Sequence, residues 1–457
     1  MTGYFEEARL AEMMRAYPMG SPFLDWTNKL SRDELRHVQE SRFAEVMKRA
    51  WQVPFYRRRW SAAGIEPGDI NGLDDIESLP PFSKTDLMES VDAAPPLGDF
   101  HGIESLNEKE RPSVVFHTTS GTTGAPQPLF FGAWDREVQN LLLARAYRLQ
   151  GLTDDDIAHS VYGFGMVNGG HYIREAVLHF TKALFLPAGT GLETPSKQQV
   201  HLIKRFGVTV LLGFVDYIKR LAEVAKEKGI EPADLEVRMI SGQIGQDDRD
   251  EISSIWGGAE VFDWYGVGDT GIVATEGPDK DGLHIFEDAH IVELLNAETA
   301  KPVAAGHPGN ICVTCLFKTT VYPIVRFDTK DVTTEMVGCG ALNLRRIEGF
   351  QGRSDNMVKL RGVNVYPTSI GAHLFEHPDT LGEYVCRVSR EGHRDDMIVM
   401  IEVRQEALGK DDVRNDLSSI LREKLGVDVS VETVGKGETA HLTQIDARQK
   451  PIRLLSL

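Results

Sequence analysis

Four cysteines among 457 residues are too few for a disulfide framework, which makes the cytoplasm the expected compartment. No long apolar run is present. The longest, near residues 208–215, is broken by Gly213 and falls far short of a membrane span. Met1–Arg15 is acidic and polar without an apolar core, so no secretory signal is predicted. No basic block offsets the net charge of −18, which excludes nucleic acid as an expected partner. An anionic small molecule is still admissible, because local arginines and backbone dipoles decide its binding. The Walker A pattern is absent, as are internal repeats and low-complexity segments. What is present is a globular composition, 41% hydrophobic and 26% charged, on a chain long enough for two or more domains.

The densest chemistry lies at Thr118-Thr119-Ser120-Gly121-Thr122-Thr123, a run of hydroxyls around one glycine, followed by Gly124-Ala125-Pro126. Ser113-Val114-Val115-Phe116 precedes it, so the segment reads as a short strand entering a flexible loop. Glycine lets backbone N–H groups approach a polyphosphate, and hydroxyls donate to its oxygens. Composition alone leaves open both phosphate binding and an ordinary polar loop. Cys312-Val-Thr-Cys315 has the spacing of zinc ligands, with Cys339, Cys386 and His284 as the partners it would need. The same stretch reads as a strand, in which residues three apart face opposite sides, and no structural zinc is expected.

The fold class is α/β. Asp33–Trp51 has apolar residues at helical spacing, and Ser83 reads as the cap of a helix starting at Lys84. From Ser113 to Gly271 short strands (183–186, 208–212, 237–240, 260–264) alternate with helices (197–206, 215–228), a βαβ rhythm that predicts parallel layers. His284–Val332 is rich in strand and turn residues and predicts an antiparallel or barrel-like subdomain. The character changes again near Gly352. The expected organisation is a large N-terminal domain of several subdomains, 1–354, and a small mobile αβ domain, 355–457. In the latter, strands are predicted at 363–366, 384–387, 397–403 and 427–431, with helices at 369–375 and 410–424.

The hydroxyl-rich loop resembles the T/S-S-G-T-T-G-K-P motif of the acyl-adenylating superfamily, which includes acyl-CoA ligases, luciferases and peptide-synthetase adenylation domains. Trp264-Tyr265-Gly266-Val267-Gly268-Asp269 resembles its Tyr-Gly-x-x-Glu motif, Arg326-Phe327-Asp328-Thr329-Lys330-Asp331 its Tyr-x-Thr-Gly-Asp motif, and Gly352–Gly362 its hinge motif. Gln449-Lys450-Pro451-Ile452-Arg453 resembles Gly-Lys-x-x-Arg. N-terminal text such as Pro54-Phe55-Tyr56-Arg57, with Asp281–Ile285 and Val363–Pro367, is similar to the phenylacetate–CoA ligase family. The resemblance implies that Thr119, Ser120, Gly121, Thr122, Thr123 and Gly124 hold phosphates. Tyr265 and Gly266 would lie near adenine, and Asp331 would take the ribose hydroxyls. Arg353 would reach ribose or phosphate or serve a structural ion pair, and Asp355 would act as the hinge or as a turn cap. Lys450 would be the adenylation lysine. Asp269 replaces the usual Glu and would reach Mg²⁺ directly or through water. Ala125 replaces the loop's lysine, which predicts weaker handling of the pyrophosphate end. Some relatives hold a structural zinc through Cys, His and Cys-x-Cys. Here only His284 and Cys339 match, with Val337 in place of one cysteine.

The chemistry so implied joins a small carboxylic acid to ATP as an acyl-adenylate, releases pyrophosphate, and transfers the acyl group to coenzyme A. By resemblance the acyl pocket draws on Tyr162, Phe164, Asn168, His171, Gly242 and Gln243. Phe164, Met166 and Val167 suit an aryl or branched apolar acid. Asn168, His171 and Gln243 either read a hydroxyl, as a short 2-hydroxy acid would offer, or satisfy backbone turns. A carrier-protein thiol in place of CoA, or nucleotide binding without turnover, is the alternative function. No membrane partner is expected, and relatives often dimerise.

Overall fold

The computed structural model describes residues 3–106, 111–119, 126–245, 248–338, 340–361, 363–374, 377–391, 394–445 and 451–456. They divide into two compact units, Met1–Pro187 with Phe262–Gly349 and Ala188–Val261 with Phe350–Leu457.

In the first unit the helix Arg32–Ala50 begins at a capping box. Ser31 Oγ accepts from Glu34 N at 3.1 Å and the Glu34 carboxylate accepts from Ser31 N at 2.9 Å, so two backbone donors at the helix start are satisfied. Its apolar stripe, Leu35, Phe43, Val46, Met47 and Ala50, is buried. Ser83 and Asp86 form the equivalent box for the helix Lys84–Ala93. The helix Ala133–Leu149 is buried along almost its whole length, charged residues included. Such a helix needs partners for every charge. Arg136 Nε pairs with Glu175 Oε2 at 2.5 Å, the Arg145 fork with both Asp288 oxygens at 3.0 and 3.1 Å, and His179 Nδ1 with Glu137 at 2.9 Å.

The β-rich part of this unit is an antiparallel succession. His290–Leu295, Pro308–Cys315, Phe327–Met336, Arg346–Ile347, Leu283–Ile285, Gly271–Thr275 and Glu260–Val267 lie side by side in that order. Ile157–Ser160 and Leu184–Pro187 pair in parallel across the helix Asn168–Phe180, as the βαβ rhythm predicts. Two strand pairs lie outside that rhythm. Val114–Thr118 and Pro128–Gly132 form an antiparallel hairpin, and Glu260–Val267 pairs antiparallel with Gly271–Thr275. Neither connection reaches the dozen residues or more that a parallel crossover needs. The hydroxyl-rich segment is therefore the connection of a hairpin.

The second unit contains a βαβ turn, with Val210–Leu212 parallel to Met239–Gly242 and the helix Val215–Glu227 between them. Its four-stranded sheet runs Ser430–Val434, Arg394–Val403, Thr380–Glu391, Leu454–Ser456, with an antiparallel central pair and parallel flanking pairs. Cys386, Val399 and Ile401 join one apolar cluster with the helix Asp411–Leu425, whereas Val385 and Met400 join a smaller one with Val434. This is the alternation a pleated strand requires. The strand expected at 427–431 begins later, at Ser430. Gly426, at φ +69°, ends the preceding helix, and Val427 and Val429 are buried from the connecting loop.

Candidate active site

The hydroxyl-rich loop is tied at its root. Thr119 N donates to Gln127 O at 3.0 Å, and Gln127 N donates to Thr119 Oγ1 at 3.1 Å. Ser120, Gly121, Thr122, Thr123, Gly124 and Ala125 lie outside the described residues, as do Lys450 and Cys339. The Gln127 side chain donates to Asp269 Oδ1 at 2.7 Å. Tyr322 donates to the same oxygen at 3.2 Å, and the Asp269 carbonyl accepts from Lys318 Nζ at 3.0 Å and Gln139 Nε2 at 3.2 Å. Asp269 is buried, and burial pushes its carboxyl above the usual range against the opposing pull of Lys318 and its hydrogen bonds. Burial likewise lowers the Lys318 ammonium, whose Nζ lies 4.6 Å from the Phe131 ring and 4.7 Å from the Tyr322 ring.

Tyr265 is buried and its hydroxyl donates to Asp331 Oδ2 at 2.9 Å, with Thr329 Oγ1 lying 3.1 Å from the same phenol oxygen. Gly266 follows at a register shift in the strand pair, where a Cβ would come within 2.4 Å of the Gly271 carbonyl. Only glycine fits that approach. Tyr265 and Asp331 thus sit on two strands of one sheet that are not neighbours in its order, and Asp269 lies in the turn that follows the strand of Tyr265.

The stretch Tyr162–His171 adjoins the loop root, because Thr118 N donates to Met166 O at 2.8 Å. The His171 ring stacks on His117 at 4.8 Å and 27°, and Phe164 meets His171 edge-on at 5.4 Å. His171 Nε2 lies 3.0 Å from the Gly165 carbonyl, the turn-satisfying arrangement. Asn168 Oδ1 instead accepts from Arg136 Nη1 at 2.6 Å, which neither expectation for it described. Tyr162 is buried. His117, Lys318, Arg136 and Gln127 were not among the residues the sequence pointed to. Nothing in their local spacing marks them, because each acquires its role through partners distant in the chain. The His117 imidazole is pushed down to about 4, first by burial and then by Arg136 and His171.

In the second unit Gly242 ends its strand so close to Gly213 that a Cβ would come within 1.7 Å of the Gly213 carbonyl, and Gln243 follows half-buried. Arg353 and Asp355 pair with each other through both oxygens, Nε to Oδ1 at 2.8 Å and Nη2 to Oδ2 at 2.6 Å, at the surface.

Among the described residues one group could hold a metal ion. Asp279, Asp281 and His284 place ligand atoms within 4.8 Å of one another. The Arg346 guanidinium pairs with Asp281 there, so a cation is already in place beside it. Cys312 and Cys315 do not belong to this group. Both are buried, opposite Asp328 and His290 respectively, and burial pushes both thiols up.

The class of protein follows from comparison with known families. Residues 73–316 match the AMP-binding enzyme family and residues 362–449 the AMP-binding enzyme C-terminal domain. Phenylacetate–coenzyme A ligase of Pseudomonas putida is 30% identical over 424 residues, covering 89% of this chain and 92% of that protein. The chain belongs to the phenylacetate–CoA ligase family of AMP-binding enzymes, and its class is that of the AMP-forming acid–CoA ligases. The fold is also that of 2-hydroxyisobutyryl-CoA ligase. A crystal structure in the postadenylation state in complex with R3-HIB-AMP superposes with a TM-score of 0.82 at 24% identity, covering 94% of this chain and 90% of that one. The same ligase in complex with 2-HIB-AMP and CoA, in the thioesterification state, gives 0.67 at 25% identity, covering 94% and 91%.

Proposed function

We propose that this chain activates a small aryl or arylacetic acid with Mg-ATP and passes the acyl group to CoA in the cytoplasm. A carboxylate oxygen attacks the α-phosphorus, the bond to pyrophosphate breaks, and an acyl-adenylate results. The CoA thiolate then attacks the acyl carbon and AMP leaves. The barrier is electrostatic, since two anions meet and charge grows on the leaving group. The 118–124 loop donates to the phosphates, Asp331 takes the ribose diol, and Tyr265 fixes Asp331. Mg²⁺, when bound, neutralises phosphate charge. Asp269 suits such a cation because it is a buried carboxylate tied to the end of that loop. Lys450, carried by a mobile domain 355–457 that pivots at Asp355, bridges carboxylate and phosphate in the first half-reaction only.

The observation that carries this reading is the Gln127–Asp269 bond, which joins the loop root to the acid of the second motif. The aryl acid is favoured over a 2-hydroxy acid by one detail. Asn168 is taken by Arg136 and His171 Nε2 faces Gly165, while Phe164 and the imidazole pair offer flat faces.

The test is AMP release over a panel holding phenylacetate, benzoate and 2-hydroxyisobutyrate, with CoA, without it, and with a carrier protein. Lys450→Ala is run in parallel. AMP formed with the aryl acids and CoA, and lost in the variant, is expected. AMP only with 2-hydroxyisobutyrate moves the substrate class, saturation by the carrier protein moves the acceptor, and ATP binding without AMP ends the ligase reading.

A further inference from the structure

Arg453 lies three residues beyond Lys450 in a short stretch stapled to the C-terminal sheet. Ile452 N donates to Thr443 O and Cys386 N to Arg453 O, both at 2.9 Å, and Leu454–Ser456 pairs in parallel with Thr380–Glu391. The side chain is buried and fully engaged. Nη1 donates to Glu383 Oε2 at 2.9 Å and to the Tyr384 carbonyl at 2.8 Å, Nη2 to Glu383 Oε1 at 3.3 Å, and Cζ lies 4.4 Å from the Tyr384 ring centroid.

These partners already neutralise and orient the guanidinium within the C-terminal sheet. A second carboxylate is nonetheless present. Asp216, in the first turn of the helix Val215–Glu227 and 237 positions away in sequence, receives Nη2 at 3.2 Å. Its side chain is 36% exposed, so it rehydrates readily if the contact opens, whereas Glu383 is largely covered. A surplus acid beside an already paired arginine adds little to the folding of the sheet. It joins the sheet to a helix from the earlier part of the chain.

We propose that Asp216 is a positioning residue for the adenylation half-reaction, docking Arg453 and with it the chain segment that carries Lys450. The inference rests on the ligase reading above and adds to it the side chain that selects one of the two working positions. When the C-terminal domain turns for thioester formation, Arg453 keeps Glu383 and Tyr384 and releases Asp216. Loss of Asp216 therefore acts on one half-reaction and spares the other.

The experiment measures the halves separately on the full chain. Adenylation is followed by phenylacetate-dependent ATP–pyrophosphate exchange without CoA, and thioester formation by phenylacetyl-CoA release from synthetic phenylacetyl-adenylate. Asp216→Ala and the isosteric Asp216→Asn are expected to slow exchange at least tenfold while thioester formation stays within twofold of wild type, and Asp216→Glu to recover most of the exchange. Equal loss in both halves, or exchange within twofold of wild type, overturns the proposal. Thermal unfolding of each variant separates these outcomes from simple misfolding, since a structural role lowers the midpoint and both rates together. A wild type that supports no exchange with any acid of the panel is the failure of the ligase reading itself, and this inference falls with it.

Discussion

Tyr265 donates its hydroxyl to Asp331 at 2.9 Å, so the aromatic residue of one motif sets the orientation of the acid in another. Asp331 is buried, and its backbone N–H donates to Thr329 Oγ1 at 3.2 Å, the same hydroxyl that Tyr265 reaches. The three residues form a closed network between two strands of one sheet, which holds the Asp331 carboxylate in a fixed orientation.

Removing the phenol leaves Asp331 in place but less firmly oriented. A hydrogen bond to a charged group contributes about 1.5–3 kcal/mol, of which a binding assay sees the part lost from pre-organisation. Tyr265→Phe is therefore expected to raise the KM for ATP roughly threefold to tenfold. Asp331→Ala is expected to raise it further, and neither should move the KM for CoA. Initial rates of AMP formation at varied ATP and CoA check this. An unchanged KM for ATP in Asp331→Ala would remove that residue from the nucleotide site.

Arg145 and Asp288 form the second relationship worth perturbing. Both are fully buried, their bond is a two-pronged fork, and the guanidinium lies 4.2 Å from the Phe23 ring and 5.0 Å from the Phe286 ring. Breaking such a pair from one side leaves an uncompensated buried charge, which costs about 3–5 kcal/mol. Asp288→Ala is expected to lose that much in urea unfolding. A loss below about 1 kcal/mol, the range of a surface pair, contradicts the burial argument.

How much of this was readable beforehand divides along physical lines. The helix Arg32–Ala50 was legible because a 3.6-residue apolar stripe is a local signal. The C-terminal sheet was legible in the strands expected at 384–387 and 397–403, and the family in the order of its motifs. The helix Ala133–Leu149 shows what was not. Its Arg136, Glu137 and Arg145 carry no local signal of burial, and all are buried because their counter-charges, Glu175, His179 and Asp288, arrive from other elements. Gln127 and Lys318 carry no local signal for the same reason, since each meets Asp269 across a long stretch of chain. Strand direction also carries none, since a short hairpin and the first half of a crossover look alike until the length of the connection is counted.

Two buried histidines make the stability of the first unit depend on acid. Burial pushes the His290 imidazole down to about 4 against the opposing pull of Asp288, and His117 sits at about 4 as well. Both are neutral in the folded chain where the unfolded chain, titrating near 6.5, takes up protons. Above pH 6.5 their contribution is fully present. As pH falls from 6.5 to 4 the unfolded state binds more protons and stability is lost, and below 4 the slope vanishes. The loss reaches about 2 kcal/mol per histidine by pH 5. Carboxyls raised by burial, Asp269 and Asp135 among them, act in the opposite sense, so the whole-protein curve mixes the two. The difference between wild type and His290→Gln isolates the histidine. The variant should be the less stable at pH 7.5, and its deficit should shrink by about 2 kcal/mol by pH 5 in urea unfolding. A deficit that stays constant across that window means that His290 titrates in the folded chain as it does in the unfolded one.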